Sequence, residues 1–187
     1  MIKELPKKIE NGIVKKLDIS KNQARIVYLS IGSNLGNRKK NIDSAKFKLQ
    51  SNNIIISKCS SNYESLSWPN PKFPKFINIV LKIKTFFNER ELLLICNKIE
   101  NELGRIRSKK NEPRTCDIDI IDYNRKVCKI LGKNSLNLPH PGISKRNFVL
   151  LPLYEISKNW KHPQTHISIL KLINRLKIDD LRAIKQI

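Results

Sequence analysis

Long apolar runs are missing from this chain: nowhere do 18 consecutive apolar residues occur, which excludes an ordinary membrane-spanning helix. The first residues carry charge but no continuous apolar core, so they do not read as a secretory signal, and a cytoplasmic location is the expectation. Cysteine is scarce. Cys59, Cys96, Cys116 and Cys128 show no C-x-x-C spacing, so neither a zinc site nor a thioredoxin-type pair is indicated, and each is expected to be a small buried hydrophobe. Aromatics make up only 6%, and they are not interleaved with basic residues as on a single-strand-binding platform. Basic residues are plentiful, giving a net charge of +21 with 27 lysines against 10 arginines. They are scattered in pairs such as Lys7-Lys8 and Lys39-Lys40 and form no run of five, so no nucleic-acid partner is expected. Such charge still raises encounter rates with polyanions, a nucleoside triphosphate included.

What is present is concentrated in RIRSKKNEPRTCDID, Arg105 to Asp119. Arg114 follows a proline, and an Asp-x-Asp pair heads the apolar run Asp117-Ile118-Asp119-Ile120-Ile121, which reads as a strand. Alternation puts Asp117 and Asp119 on one face, roughly 6–7 Å apart along the backbone. Converging carboxylates repel unless cations neutralise them, and hard oxygen ligands suit Mg²⁺, which completes its shell with phosphate oxygens. Planar guanidiniums match phosphate geometry. Together these point to phosphoryl transfer. Taken alone, an Asp-x-Asp on a strand is more often a solvated sheet face. Asp122, one residue out of phase, is expected to face the other way as a strand-end charge.

A chain of 187 residues forms one domain, burying roughly 70% of its unfolded surface. Residues 1–24 read as a basic extension, with Ile9, Ile13 and Leu17 at helical spacing, and residues 25–187 as the domain. Strands are expected at 26–31, 54–63, 76–87 and 115–123. Helices are expected at 37–49 and 89–103, the second closed by Gly104. The order β-α-β-β-α-β predicts an α+β, ferredoxin-like fold with an antiparallel sheet. A hairpin at 125–138 and helices after His140 and His166 extend it. Residues 64–75, with three prolines, form a long loop of the kind that carries function. The turn Gly32-Ser33-Asn34-Leu35-Gly36 matches neither a P-loop nor a Rossmann turn and reads as a structural connection. His162 and His166 stand four apart, but Pro163 between them argues against a metal pair.

Read jointly, these segments resemble the 6-hydroxymethyl-7,8-dihydropterin pyrophosphokinase family (2-amino-4-hydroxy-6-hydroxymethyldihydropteridine diphosphokinases). The resemblance rests on IGSNLGNR (31–38), Tyr63 with Phe76-Ile77-Asn78, Ile99-Glu100 before GRIR (104–107), PRTCDIDI (113–120) and LPHPGISKRNFVLLPLYEI (138–156). It implies transfer of pyrophosphate from ATP to the pterin's hydroxymethyl oxygen, releasing AMP, in folate biosynthesis. Asp117 and Asp119 would hold two Mg²⁺ ions. Arg105 and Arg114, with Arg107 beside them, would grip phosphates, while Glu100, Ile120, His140 and Arg146 match further ATP contacts. Ser65, Leu66, Phe76, Asn78 and Phe148 match the pterin pocket; periodicity alone would place both phenylalanines in the core. A monomer without nucleic-acid or membrane partners is implied.

Two departures stand out. Many relatives carry a tryptophan between the two arginines, whereas here Ser108-Lys109-Lys110-Asn111-Glu112 has no aromatic. Leu66-Ser67-Trp68 replaces a proline-rich run, and Trp68 is a candidate substitute lid. The rival readings are an RNA-binding ferredoxin-like module and a catalytically silent relative.

Overall fold

The computed structural model describes residues 23–106, 111–132 and 135–187. The Ile9–Leu17 pattern and Arg107 lie outside the described residues. Two strands, β1 (Arg25–Ser33) and β4 (Phe76–Thr85), pair antiparallel at the centre of the sheet. Both are apolar along most of their length because both faces are covered. Val27, Leu29 and Ile31 point to one side, with Ile79, Leu81 and Ile83. There they meet α1 (Arg38–Ser51) and α2 (Glu89–Glu102), which turn Ile42, Ala45, Leu49 and Leu92, Cys96, Ile99 inward at helical spacing. A capping box starts α2: the Asn88 side chain accepts from the Glu91 amide, and the Glu91 carboxylate accepts from the Asn88 amide. Gly104 follows α2 with φ +79°, the left-handed residue expected there.

The opposite side of the sheet is also covered. Tyr28 and Val80 pack there against Val149, Leu150 and Leu153 of α3 (Asn147–Ile156) and Ile169 and Leu172 of α4 (Ile169–Ile173). β5 (Asp117–Tyr123) forms one edge beside β1, and beyond β4 come two short strands, β2 (Ile55–Cys59) and β3 (Tyr63–Ser65). The expected antiparallel β-α-β-β-α-β core is present, as is a hairpin of β6 (Cys128–Ile130) and β7 (Leu136–Leu138). After the 3₁₀ turn Ile143–Lys145 come α3 and α4, then α5 (Ile178–Arg182) and β8 (Ile184–Gln186), which pairs with β3.

Four details differ from the sequence reading. The strand expected at 54–63 is broken at Ser60–Asn62. The Ser60 hydroxyl accepts the Val80 amide at 2.9 Å, and the Ser61 amide goes to the Glu155 carboxylate, so side chains replace ladder bonds there. Only Cys96 and Cys116 are buried; Cys59 is exposed on β2, most of whose residues face solvent, and Cys128 is half-buried. No local signal announced β8. Asp122 is neither out of phase nor at the surface. β1 pairs Leu29 with Ile120 and Tyr28 with Asp122, so Ile121 is an extra residue, a bulge. The bulge returns Asp122 to the face of Asp117 and Asp119, where it is 1% exposed and accepts from Trp160 Nε1 (2.8 Å) and the Arg125 amide (2.9 Å).

Candidate active site

Strand pairing sets the geometry of the site. Residues opposite one another in a sheet share a face, and the registers align Asp117 on β5, Gly32 on β1, Asn78 on β4 and Tyr63 on β3 in one row across the sheet. Ser30 lies opposite Asp119 on the same face. At spacings of roughly 4.8 Å between strands, Asp117 and Asn78 are about 10 Å apart with a glycine between them. The glycine is needed: a Cβ on Gly32 would lie 2.8 Å from Asn78 Oδ1 and 3.3 Å from Phe76 Cδ1.

At one end of the row the charges interlock. Arg105 Nη1 donates to Glu100 Oε1 and Asp117 Oδ1, both at 2.5 Å, and Arg114 Nη2 donates to Asp117 Oδ2 at 2.6 Å. Arg146 Nη1 reaches Asp119 Oδ2 at 3.0 Å, and His140 Nε2 lies 3.7 Å from the same oxygen. Burial pushes the Asp117 carboxyl up, but Arg114 and Arg105 outweigh it and hold the group below its usual range. Asp119 goes the other way, raised by burial and by the charge of Asp117. His140 is held below the ordinary imidazole range by burial, which Asp119 opposes. Its Nδ1 accepts the Gly142 amide at 3.1 Å, so the neutral ring carries its proton on Nε2, the atom nearer Asp119. The bulge contributes as well, because the Ile121 carbonyl accepts the His140 amide at 3.0 Å.

The other end of the row is aromatic and amide. A cavity between the loop after β3 and the start of α3 is lined by Ser65, Leu66, Trp68, Phe76, Asn78 and Phe148 and runs on to Arg114, Arg146 and both aspartates. Asn78 Nδ2 donates to Ser65 Oγ at 3.0 Å. The Arg114 guanidinium lies 5.4 Å from the Phe76 ring centre, and that of Arg146 lies 5.6 Å from Trp68 and 5.7 Å from Phe148. Arg146 thus touches both ends of the cavity, at Asp119 and at two rings.

The structure therefore brings together Arg105, Arg114, Asp117, Asp119, His140 and Arg146, with Ser65, Leu66, Phe76, Asn78 and Phe148 alongside. Glu100 and Ile120 sit differently. Glu100 is 2% exposed and stands behind Asp117, accepting the Ile118 amide at 2.7 Å. Ile120 buries its side chain in the core towards α1 and α2. Because the Ile118 amide points away from β1, alternation turns the backbone groups of Ile120 to the same open edge of the sheet.

One residue that the sequence reading passed over organises the loops. The Asn34 amide donates to the Arg114 carbonyl (3.1 Å), its Oδ1 accepts the Arg114 amide (2.7 Å), and its Nδ2 donates to the Pro74 carbonyl (3.1 Å). Its place inside the Gly32–Gly36 turn and the IGSNLGNR segment was the available signal. Among the described residues no group of three or more His, Cys, Asp or Glu side chains is arranged to hold a metal ion. Among the described residues, Asp117 and Asp119 are the acidic side chains that line the cavity.

A ferredoxin-like sheet with an acid–arginine cluster and an aromatic cavity on one face defines an α+β protein with one charged and one aromatic half to its cavity. The model of the 7,8-dihydro-6-hydroxymethylpterin-pyrophosphokinase family matches residues 28–158, and the chain belongs to that family. A 2-amino-4-hydroxy-6-hydroxymethyldihydropteridine pyrophosphokinase of Aquifex aeolicus is 42% identical over 137 residues, 73% of this chain and 83% of that one. The folic acid synthesis protein fol1 of Pneumocystis carinii is 38% identical over 174 residues, covering 93% of this chain but 23% of that protein. With a similar protein of Dictyostelium discoideum, of which 25% is covered, the chain spans about a quarter of these longer relatives. The crystal structure of Plasmodium falciparum HPPK-DHPS with pterin and p-hydrobenzoate shares the fold, with a TM-score of 0.70 at 16% identity over 88% of this chain and 48% of that one. No helix among the described residues is long and apolar enough to cross a membrane.

Proposed function

We propose that residues 25–187 act as one unit, a monomer, that transfers pyrophosphate from ATP to the hydroxymethyl oxygen of 6-hydroxymethyl-7,8-dihydropterin. The new bond joins that oxygen to the β-phosphorus, the bond from Pβ to the α-phosphate oxygen breaks, AMP leaves, and the hydroxyl proton passes to solvent. The observation that carries this reading is the row from Asp117 across Gly32 to Asn78. It sets a phosphate-binding cluster and a ring-binding cavity on one sheet face with no side chain between them.

Each end has a stated role. Phe76 and Phe148 offer flat faces to the pterin, and Asn78, oriented by Ser65, reads its donor–acceptor edge. Ser65 and Leu66 line that pocket, and Trp68 covers it in place of the missing loop aromatic. Arg105, Arg114 and Arg146 present charge to the triphosphate. Among the described residues, Arg114 Nε, Arg146 Nε and the Thr115 hydroxyl are buried with no hydrogen-bond partner. His140 offers an N–H donor, and the outward backbone edge at Ile120 suits a nucleobase. Glu100 fixes Arg105 and the strand between the aspartates.

The carboxylates of Asp117 and Asp119 fit two Mg²⁺ ions, being hard oxygen donors of one face that phosphate and water would complete. Held there, the ions would supply neutralisation of the triphosphate's charge. The low titration range of Asp117 keeps it ionised for that purpose. In-line displacement at phosphorus needs positioning and charge stabilisation more than covalent chemistry, and rigid guanidiniums provide both.

Incubation with ATP, Mg²⁺ and the hydroxymethylpterin tests the reading: AMP forms only when pterin is present. ADP in place of AMP would refute pyrophosphoryl transfer. An RNA-binding module is the weaker reading, since α3 and α4 cover part of the sheet face such modules expose, and that face carries acids.

A further inference from the structure

The cavity has two walls, and one short segment is bonded to both from outside. The first wall is β3 and β4, with Ser65, Phe76 and Asn78; the second is the start of α3, with Phe148. β8 lies along the free edge of β3, pairing Ile184 with Ser65, Lys185 with Glu64 and Gln186 with Tyr63. Gln186 Nε2 also donates to Ser61 Oγ, and the Ile187 amide to the Asn62 carbonyl, each at 2.9 Å. At the segment's other end the Asp180 carbonyl accepts the Asn147 side chain, whose Oδ1 in turn accepts the Phe148 amide at 2.7 Å. Leu181 packs against the core cluster that contains α3.

We propose that Ile178–Gln186 is a strap that sets the separation of the two walls and so acts as a positioning element for the pterin. The proposal rests on the functional reading given above. Its footing is the position of Ile184 and Asn147: the first is the register partner of Ser65, which is bonded to Asn78, and the second is bonded to the Phe148 backbone. Glu155 of α3 already holds β3 from its inner side, accepting from Ser61 and from the Tyr63 hydroxyl at 2.9 Å. The strap holds the outer side. Lys185 and Gln186 are exposed and Ile184 only half-buried, so β8 buries little apolar surface. Loosening it should register in the cavity before it registers in global stability.

The ladder offers a clean cut. The Ile187 amide bonds Asn62, so that pair is a hydrogen-bonded one, and Glu64 with Lys185, two residues along, is the next. Proline at Lys185 removes that N–H, whereas alanine keeps it. The expected result for Lys185→Pro is a rise in pterin KM of about tenfold, equivalent to about 1.4 kcal/mol. ATP KM and kcat at saturating pterin should stay within about twofold, and Lys185→Ala should match wild type throughout. Equal pterin KM in the proline and alanine variants overturns the strap. Should Lys185→Pro lose cooperative unfolding, Asn147→Ala cuts the other tie and must show the same split; an unchanged pterin KM there overturns the proposal equally. Wild-type protein inert with ATP and pterin would sink the functional reading and the strap with it, whereas an active wild type with matched variants sinks the strap alone.

Discussion

Replacing Gly32 with alanine should damage pterin binding far more than the fold. The added methyl would meet Asn78 Oδ1 at 2.8 Å and Phe76 at 3.3 Å, well inside contact distance. Gly32 does not have a left-handed φ, so the backbone accepts alanine, and strand propensity gains roughly 0.5–1 kcal/mol. Against this stands an overpacking cost of about 1–3 kcal/mol. The net loss is then about 0–2.5 kcal/mol, and at roughly 2–4 °C per kcal/mol for a chain of this size Tm should fall by at most about 10 °C. Asn78 is 4% exposed and tied to Ser65, so it relieves the clash only by leaving the position where it reads the ring. Losing one or two hydrogen bonds to the pterin, at about 1–1.5 kcal/mol each, raises pterin KM about 10–100-fold. ATP KM should hold within about twofold. Steady-state kinetics with each substrate varied in turn, together with thermal unfolding, gives all three values. Adding Asn78→Ala to Gly32→Ala should restore Tm without restoring pterin binding. A Gly32→Ala enzyme with wild-type pterin KM would refute the cross-sheet row as the substrate path.

Other perturbations separate the remaining parts of the site. Arg114→Ala should lower kcat by about 10²–10³, the loss typical of one preorganised charge stabiliser; an unchanged rate in steady-state turnover removes Arg114 from the mechanism. Trp68→Ala should weaken pterin binding several-fold, roughly 1 kcal/mol for one aromatic contact, and wild-type affinity by fluorescence titration would dispose of its role as a lid. His162 is held below its ordinary range by burial, which Asp122 opposes. A depressed histidine favours the neutral folded form, so its contribution to stability is complete above about pH 6.5 and is lost as pH falls through the folded-state value. Urea unfolding across pH 5–8 should therefore show His162→Asn with a flatter acid limb than wild type; identical limbs would exclude His162 as a source of acid sensitivity.

Local chemistry made much of this molecule legible. Apolar runs at 26–31 and 76–87 marked strands, and Gly104 marked the end of α2. Asp117 and Asp119 could be put on one face because alternation needs no knowledge of neighbours. What escaped depends on partners distant in sequence. The bulge at Ile121 exists because of how β5 aligns with Tyr28 and Leu29, and nothing in Ile-Ile-Asp signals it. Asn34 acts on Arg114, 80 residues away, and β8 forms only because β3 has an edge to offer. The break at Ser60 likewise depends on Val80 and Glu155. The pterin pocket lies between these cases. Periodicity would have put Phe76 and Phe148 in the core, and only the joint motif pattern placed them on a cavity.

Charge balance links the two halves of the proposed reaction. Three carboxylates, Glu100, Asp117 and Asp119, face three guanidiniums, Arg105, Arg114 and Arg146, each within hydrogen-bonding distance of at least one partner. Among the described residues the six charges of this cluster balance, although the chain carries +21. A bare triphosphate entering it would find the arginines already engaged and two carboxylates opposing it. On the proposed reading, divalent cations held by the carboxylates would reverse that, leaving the guanidiniums to the phosphate oxygens, to which their planar donors are suited. Glu100 is the acid that does not face the cavity. It shares Arg105 with Asp117 and holds the Ile118 amide, so it can keep that arginine and the strand in register while Asp117 exchanges partners. On the proposed reading the aspartates and arginines form a preorganised exchange set, and the lysines scattered along the chain would serve encounter with the nucleotide.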